Sequence, residues 1–220
     1  MTEALDDVFG WELLQLGTWG PHEHLLTGCR TRRHAIIANG THGRAEGRQA
    51  DVAARLSQLP IANGAVDAVV LPHTLEFETD PYAVVREADR VLAGEGQLIV
   101  LGFRPFSLWG FRSRAISRGY PPGLRRMLGA GRIADWLELL GYDVSLTRNY
   151  LFTPPWGSPA LHPGAASALL RRGWIKPWPA GAYLIKARKR IYTLTPIRPR
   201  VRERVQPIGA LAKTTRRQSS

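Results

Sequence analysis

The stretch from Leu59 to Phe103 reads LPIANGAVDAVVLPHTLEFETDPYAVVREADRVLAGEGQLIVLGF, and its pattern decides the fold. Val66 to Leu71 is short, apolar and β-branched, the composition of a strand made for burial. The turn cluster Ala62-Asn63-Gly64 precedes it, and Pro72-His73 stops it. Asp80 has the chemistry of an N-cap, with Pro81 at the first helical position, where its missing N–H costs nothing. Val84, Val85, Ala88, Val91 and Leu92 follow at helical spacing, and Gly94 is placed to end the helix. Gln97 to Leu101 (QLIVL) is a second continuous apolar run, as expected of a strand covered on both faces. Strand, helix and strand in this order predict a parallel pair joined by a crossover.

The alternation continues on both sides. Glu12 to Leu16 (ELLQL) reads as a short strand, followed by Gly17 and Gly20. His34 to Ala38 (HAIIA) is another, closed by Asn39-Gly40. Ile133, Trp136, Leu137 and Leu140 mark an amphipathic helix stopped by Gly141, and Asp143 to Tyr150 and Ala182 to Ala187 read as edge strands. The order predicts an α/β fold, a mainly parallel central sheet with helices on both faces. In such sheets ligands bind beyond the carboxyl ends of the strands. That rule puts Pro72, His73 and Glu76 where a cofactor would sit. The competing reading is that Pro72 merely ends the strand and His73 is a surface loop residue. Position alone leaves both open.

The chain has 220 residues and 44% apolar content, enough for one core with decoration. No apolar run approaches the roughly 18 residues that span a bilayer. The N-terminus is acidic and lacks a signal peptide's basic start, and Cys29 is the only cysteine, so no internal disulfide forms. These features predict a cytoplasmic protein. The net charge of +12 is uneven: Lys186 to Ser220 holds 11 Lys or Arg against one acid, Glu203. Residues 1–190 are therefore expected to form the domain and 191–220 a basic, disordered tail. The tail suits either a plain solvated extension or binding to nucleic acid or another polyanion.

The quoted stretch resembles the central block of class I S-adenosylmethionine-dependent methyltransferases of the type 11 group. Leu59-Pro60-Ile61 fills the place of an LPF-like turn, Val66-Asp67 opens the strand, and His73-Thr74-Leu75-Glu76 matches the H-x-LE-like loop. Asp80-Pro81, Arg90-Val91-Leu92 and Glu95-Gly96 match the helix start, its R-x-L end and the turn that follows. Trp136 to Tyr142 (WLELLGY) resembles the family's late helix and its exit, and Phe103 to Arg112 resembles a bacterial subgroup of it. The resemblance implies a Rossmann-like methyltransferase fold, with Gln15, Gly17, Gly20, Asn39, Leu59, Pro72 and His73 around S-adenosylmethionine.

The N-terminal region departs from that pattern. The family's first strand ends in an acid-x-Gly-x-Gly loop; here Gln15 stands at the acid and Trp19 at the second glycine. Gln15 can accept a hydrogen bond but cannot supply the negative charge with which a carboxylate would strengthen it. The second strand ends in Asn39 with no carboxylate to receive the ribose hydroxyls, and Arg55 lies nearer than Asp51 to the adenine-contacting position. The cofactor region thus reads as degenerate.

Other chemistry is poorly supported. His22 and His24 do not share a helix face, and with Cys29 they lack metal-ligand spacing. No Gly-x-Ser-x-Gly or Walker loop occurs, and no residue stands out as a catalytic base. Two inserts, about 104–131 and 150–180, carry aromatics among basic residues or prolines. They read as a substrate pocket, with Phe106 and Trp109 the best candidates, or as a structural cap, as for Trp174 and Trp178. Two functions follow: methyl transfer to an unidentified acceptor, or a non-catalytic relative serving as a binding or scaffold module, associated with nucleic acid through its tail.

Overall fold

A computed structural model describes residues 9–18, 30–39, 50–115, 122–151 and 180–190. Trp19, Gly20, His22, His24, Cys29, most of the second insert and the tail after 190 lie outside the described residues.

Seven strands form one sheet: β1 (Phe9–Leu16), β2 (Arg30–Ala38), β3 (Val52–Ala53), β4 (Val66–Pro72), β5 (Leu92–Phe103), β6 (Tyr142–Tyr150) and β7 (Ala182–Lys189). Their order is β3-β2-β1-β4-β5-β7-β6. Pairings from β3 through β5 are parallel, and β7 runs antiparallel to both β5 and β6. Three helices are described: α1 (Pro81–Val91), α2 (Leu108–Ala115) and α3 (Ala130–Leu139). This is the Rossmann-like α/β arrangement expected from the sequence.

Side-chain alternation divides the core into two faces. Leu14, Leu16, Val69, Leu71, Leu98 and Val100 belong to one cluster with Val84, Val85 and Ala88 of α1 and Ile133 and Leu137 of α3. Leu13, Ala68, Val70, Ile99 and Leu101 belong to the other. Ala68 to Leu71 of β4 and Leu98 to Leu101 of β5 are apolar at every position because both faces of these central strands are covered. Helix α1 begins as its sequence demands: the Asp80 carboxylate accepts from the Ala83 N–H at 3.0 Å, a cap that stabilises by about 1 kcal/mol.

The structure corrects two expectations. Gly94 does not end α1. The helix stops at Val91, and Leu92 already pairs with Val66 as the first residue of β5. Gln97 then pairs with Ala68, so Ala93 to Gly96 bulges out, with Glu95 at φ 64°. Sheet pairing of the apolar Leu92 outcompetes a glycine stop. The second correction concerns Ala182 to Ala187. It forms the inner strand β7, buried throughout between β5 and β6, and the edges are β6 and the two-residue β3.

Candidate functional site

The strand order reverses between β1 and β4, since β1 pairs with both β2 and β4 while the crossover connections leave on opposite sides. A crevice at such a reversal is where open α/β sheets bind ligands. Two turns meet there. At the end of β1, Gly17 takes φ 89°, which a side chain would resist, and its N–H donates to the Ile37 carbonyl at 2.7 Å. At the end of β4, Thr74 donates its hydroxyl to the Leu16 carbonyl. The fit is close: a Cβ on Gly17 would lie 2.6 Å from Thr74 Oγ1. Gln15 is buried with its amide folded back, donating from Nε2 to the Gly17 carbonyl at 2.9 Å. It braces the turn from beneath.

Beside this turn lies a buried group of titratable side chains. His73 follows β4 at φ 54°, a left-handed conformation uncommon for a residue with a side chain. It is 3% exposed, which overturns the reading of it as a surface loop residue. The reason is the cover supplied by distant segments. The Phe103 ring lies over it at 4.1 Å between centroids, and the Tyr150 hydroxyl lies 2.6 Å from its Nε2. Trp109 in turn stacks on Phe103 at 6.2 Å between centroids. Burial holds the imidazole down to about 3, so it is neutral near pH 7.

Glu76 is equally enclosed. Its Oε1 accepts from the Phe103 N–H at 2.6 Å and lies 3.9 Å from His73 Nδ1, while Oε2 is buried without a hydrogen-bond partner among the described residues. Burial pushes its carboxyl up to about 7, against the opposing pull of the backbone hydrogen bonds. The Glu76 carbonyl accepts from the N–H groups of Arg125 and Arg126 at 3.0 and 3.1 Å, so the first insert is anchored to this loop. Tyr150 is raised by burial and then by Glu76.

Of the remaining candidates, Pro72 adjoins this group, and Asn39 and Leu59 belong to other elements. Pro72 is the last residue of β4, and Asn39 is half-buried just past the end of β2. Leu59 packs in the core. Its N–H donates to Glu87 Oε1 at 2.7 Å, and its carbonyl accepts from Arg90 at 3.1 Å. Arg90 also bonds the Ile61 carbonyl and both Glu87 oxygens, so the E-x-x-R pair of α1 pins the 59–63 turn. Asp51, too early in the chain for an adenine contact, accepts from the Ile36 N–H at 2.7 Å. Sequence reasoning missed Tyr150 and Phe103 as cover for His73. Their only signal was aromatic character at strand ends. Phe106 is 76% exposed and builds no pocket wall, whereas Trp109 is half-buried against Phe103.

Residues 16–100 match a family model described as "Methyltransferase domain", of the type 11 group. A curated relative, the uncharacterised protein YafS of Escherichia coli, is 34% identical over 150 residues, 68% of this chain and 59% of YafS. The chain's match thus spans under two thirds of that relative's length. Among solved structures, an S-adenosylmethionine-dependent methyltransferase from Thermotoga maritima superposes with a TM-score of 0.59 at 17% identity, over 86% of this chain and 87% of that one. Another, from Archaeoglobus fulgidus, gives 0.59 at 15% identity, over 85% and 89%. At these identities the superpositions speak for the fold. The described residues contain no helix long and apolar enough to cross a membrane.

Proposed function

The chain belongs to the class I, type 11 methyltransferase family, and from that premise we propose that it transfers a methyl group from S-adenosylmethionine to an acceptor. The observation that carries this reading is the meeting of Gly17 and Thr74 where the strand order reverses. The turn suits the cofactor because Gly17, at a φ that a side chain would resist, brings the backbone sharply round at the mouth of the crevice, while Thr74 fills the space a Cβ would take. Gly17, Gly20 and Gln15 are the residues that would hold the methionine part, Asn39 the ribose, and Leu59, Pro72 and His73 the base and the methyl side. When bound, the cofactor supplies a methyl on a cationic sulfur that leaves readily.

The chain contributes position more than acid or base strength. Holding acceptor and methyl in line removes much of the entropic barrier. His73, neutral and fixed by Phe103 and Tyr150, offers a rigid apolar and weakly polar wall rather than a strong base at neutral pH.

The anchors are amides where the family has carboxylates, and Trp19 stands in the sequence where the second glycine belongs. Affinity is therefore expected to be low, with a dissociation constant of about 0.1 mM or weaker. Titration calorimetry with S-adenosylhomocysteine tests this on the native chain, Trp19→Gly and Gly17→Trp. Trp19→Gly should tighten binding and Gly17→Trp abolish it. No heat from the native chain or from Trp19→Gly would favour the second reading, a non-catalytic module. The amide anchors and the Thr74 hydroxyl seated on the β1 turn support that alternative. Association of the basic tail with nucleic acid, and a cytoplasmic setting consistent with the lone Cys29, complete the proposal.

A further inference from the structure

Arg104 to Ala134 holds seven arginines and neither Asp nor Glu. Its described part covers the carboxyl edge of the sheet. The Arg104 N–H donates to the Gly181 carbonyl at 2.8 Å, and Arg125 and Arg126 hang from the Glu76 carbonyl. The side chains of Arg104, Arg114, Arg125 and Arg126 enter no ion pair among the described residues. The opposite end of the sheet is different. There Arg188 pairs with Glu95 at 3.0 Å, Lys189 with Asp89 at 2.9 Å and Arg190 with Asp143 at 2.5 Å. Among the described residues, these three cations at one end are thus paired, while the four arginines at the carboxyl end have no ion pair.

Exposed rings lie among these cations. Phe106 is 76% exposed and Phe111 62% exposed, and the Arg114 guanidinium sits 5.7 Å from the centre of the Phe106 ring. Arginines without an ion pair among the described residues, together with exposed aromatic rings, are what a single strand needs, phosphates on the cations and bases against the rings. A bilayer surface would call for a continuous apolar helix face with a cationic rim. Helix α2 does not offer one: Leu108 and Trp109 are half-buried, and Arg114 breaks its outer surface.

We propose that this face, built from Arg104, Phe106, Phe111, Arg114, Arg125 and Arg126, binds single-stranded nucleic acid. It deepens the methyl-transfer reading by naming the acceptor's class, and that extension rests on that reading. The binding itself is measured without cofactor, so the two can fail separately. Fluorescence anisotropy of labelled oligouridylate and oligodeoxythymidylate of about 12 nucleotides, against the full chain over a salt series, provides the test. Arg125→Ala/Arg126→Ala should weaken binding at least about tenfold and lower the magnitude of the log–log salt slope by about 1.4. Phe106→Ala/Phe111→Ala should weaken it by about tenfold with the slope unchanged. Arg86→Ala, which removes an exposed cation from α1, should change it less than about twofold. Affinity equal across all variants would assign binding to another part of the chain and overturn the proposal. So would absent oligonucleotide binding together with cosedimentation on phosphatidylserine vesicles that the Arg125→Ala/Arg126→Ala change abolishes.

Discussion

The Tyr150 hydroxyl lies 2.6 Å from Nε2 of His73, joining the end of the edge strand β6 to the residue that follows β4. The contact reaches across the ends of β5 and β7, which separate those two strands in the sheet. With Phe103 stacked above it, His73 is held on two sides in a backbone conformation it would not adopt alone. Tyr150→Phe keeps the ring and removes the bond. It should destabilise the fold by about 1 kcal/mol and leave the chain folded. Denaturant unfolding measures the loss, and the ring-nitrogen resonances of His73 should shift. An unchanged His73 spectrum would show that the hydroxyl does not orient the imidazole.

The same enclosure sets a pH profile. Burial takes His73 from 6.5 to about 3, so the unfolded chain binds that proton first, and stability is lost as pH falls below 6.5 toward 3. Burial takes Glu76 from 4.5 to about 7, so the folded chain binds that proton first, and stability is lost as pH rises from 4.5 through about 7. The slopes oppose each other between 4.5 and 6.5, where these two groups give a plateau. Glu76→Gln removes the alkaline loss. Its stability relative to the native chain should therefore rise by about 3 kcal/mol between pH 4.5 and pH 8. Thermal unfolding of both proteins across that range checks it, and a pH-independent difference would refute the raised carboxyl.

How much of this was legible in the sequence depends on the range of the contacts involved. Asp80, Pro81 and the valines of α1 act within a few residues of one another, so strand, helix and strand could be read directly. The two-residue β3 is too short for any periodicity, and it exists because Val52 and Ala53 pair with Ile37 and Ala38. The inner place of β7 depends on both its neighbours, to which no local pattern points. His73 was readable as a residue past the end of a buried strand. Its burial was not, because Tyr150 lies 77 positions away in sequence. The Arg90 network explains why the central block could be recognised as a unit: α1 and the turn before β4 are bonded through those side chains.

That network leads to a prediction about Arg90→Lys. The guanidinium serves the Leu59 and Ile61 carbonyls and both Glu87 oxygens at once, a fork that an ammonium cannot reproduce. The substitution should lower the melting temperature and increase hydrogen exchange at the amides of 59–64, above all at Gly64, whose N–H donates to the Arg90 carbonyl at 3.0 Å. Exchange unchanged in that segment would show that the turn is held by packing of Leu59 alone.

At the reversal point, Gly17→Ala should be costly for two separable reasons. Its φ of 89° disfavours any side chain, and the new Cβ would lie 2.6 Å from Thr74 Oγ1 and 3.0 Å from Thr74 Cγ2. The sum should reach about 2 to 3 kcal/mol. Thr74→Ala removes both of those atoms, so the double variant should recover part of the loss and retain the backbone share, about 1 kcal/mol. A double-mutant cycle by denaturant unfolding separates the two contributions. Strict additivity would mean that Thr74 does not press on the β1 turn.

Helix α2 gives a last prediction, because its placement depends on a glycine. Ser107 acts as its N-cap: the hydroxyl accepts from the Gly110 N–H at 3.2 Å and donates to the Arg104 carbonyl at 2.7 Å. This folds the helix start back onto the chain leaving β5, and the open side of Gly110 then faces the Pro105 carbonyl. A Cβ at 110 would overlap that carbonyl oxygen, a backbone atom that cannot rotate away. In an ordinary helix alanine would be better than glycine by about 1 kcal/mol. Here Gly110→Ala should instead destabilise the chain and lift α2 from Pro105. Hydrogen exchange should rise in 104–115 while the amides of β4 and β5 stay protected. Fluorescence of Trp109 should report loosened packing against Phe103. Ser107→Ala should produce a milder form of the same pattern, since it removes the cap and leaves the space. Greater stability of Gly110→Ala would mean that helix propensity decides this segment and that its seat on Pro105 is dispensable.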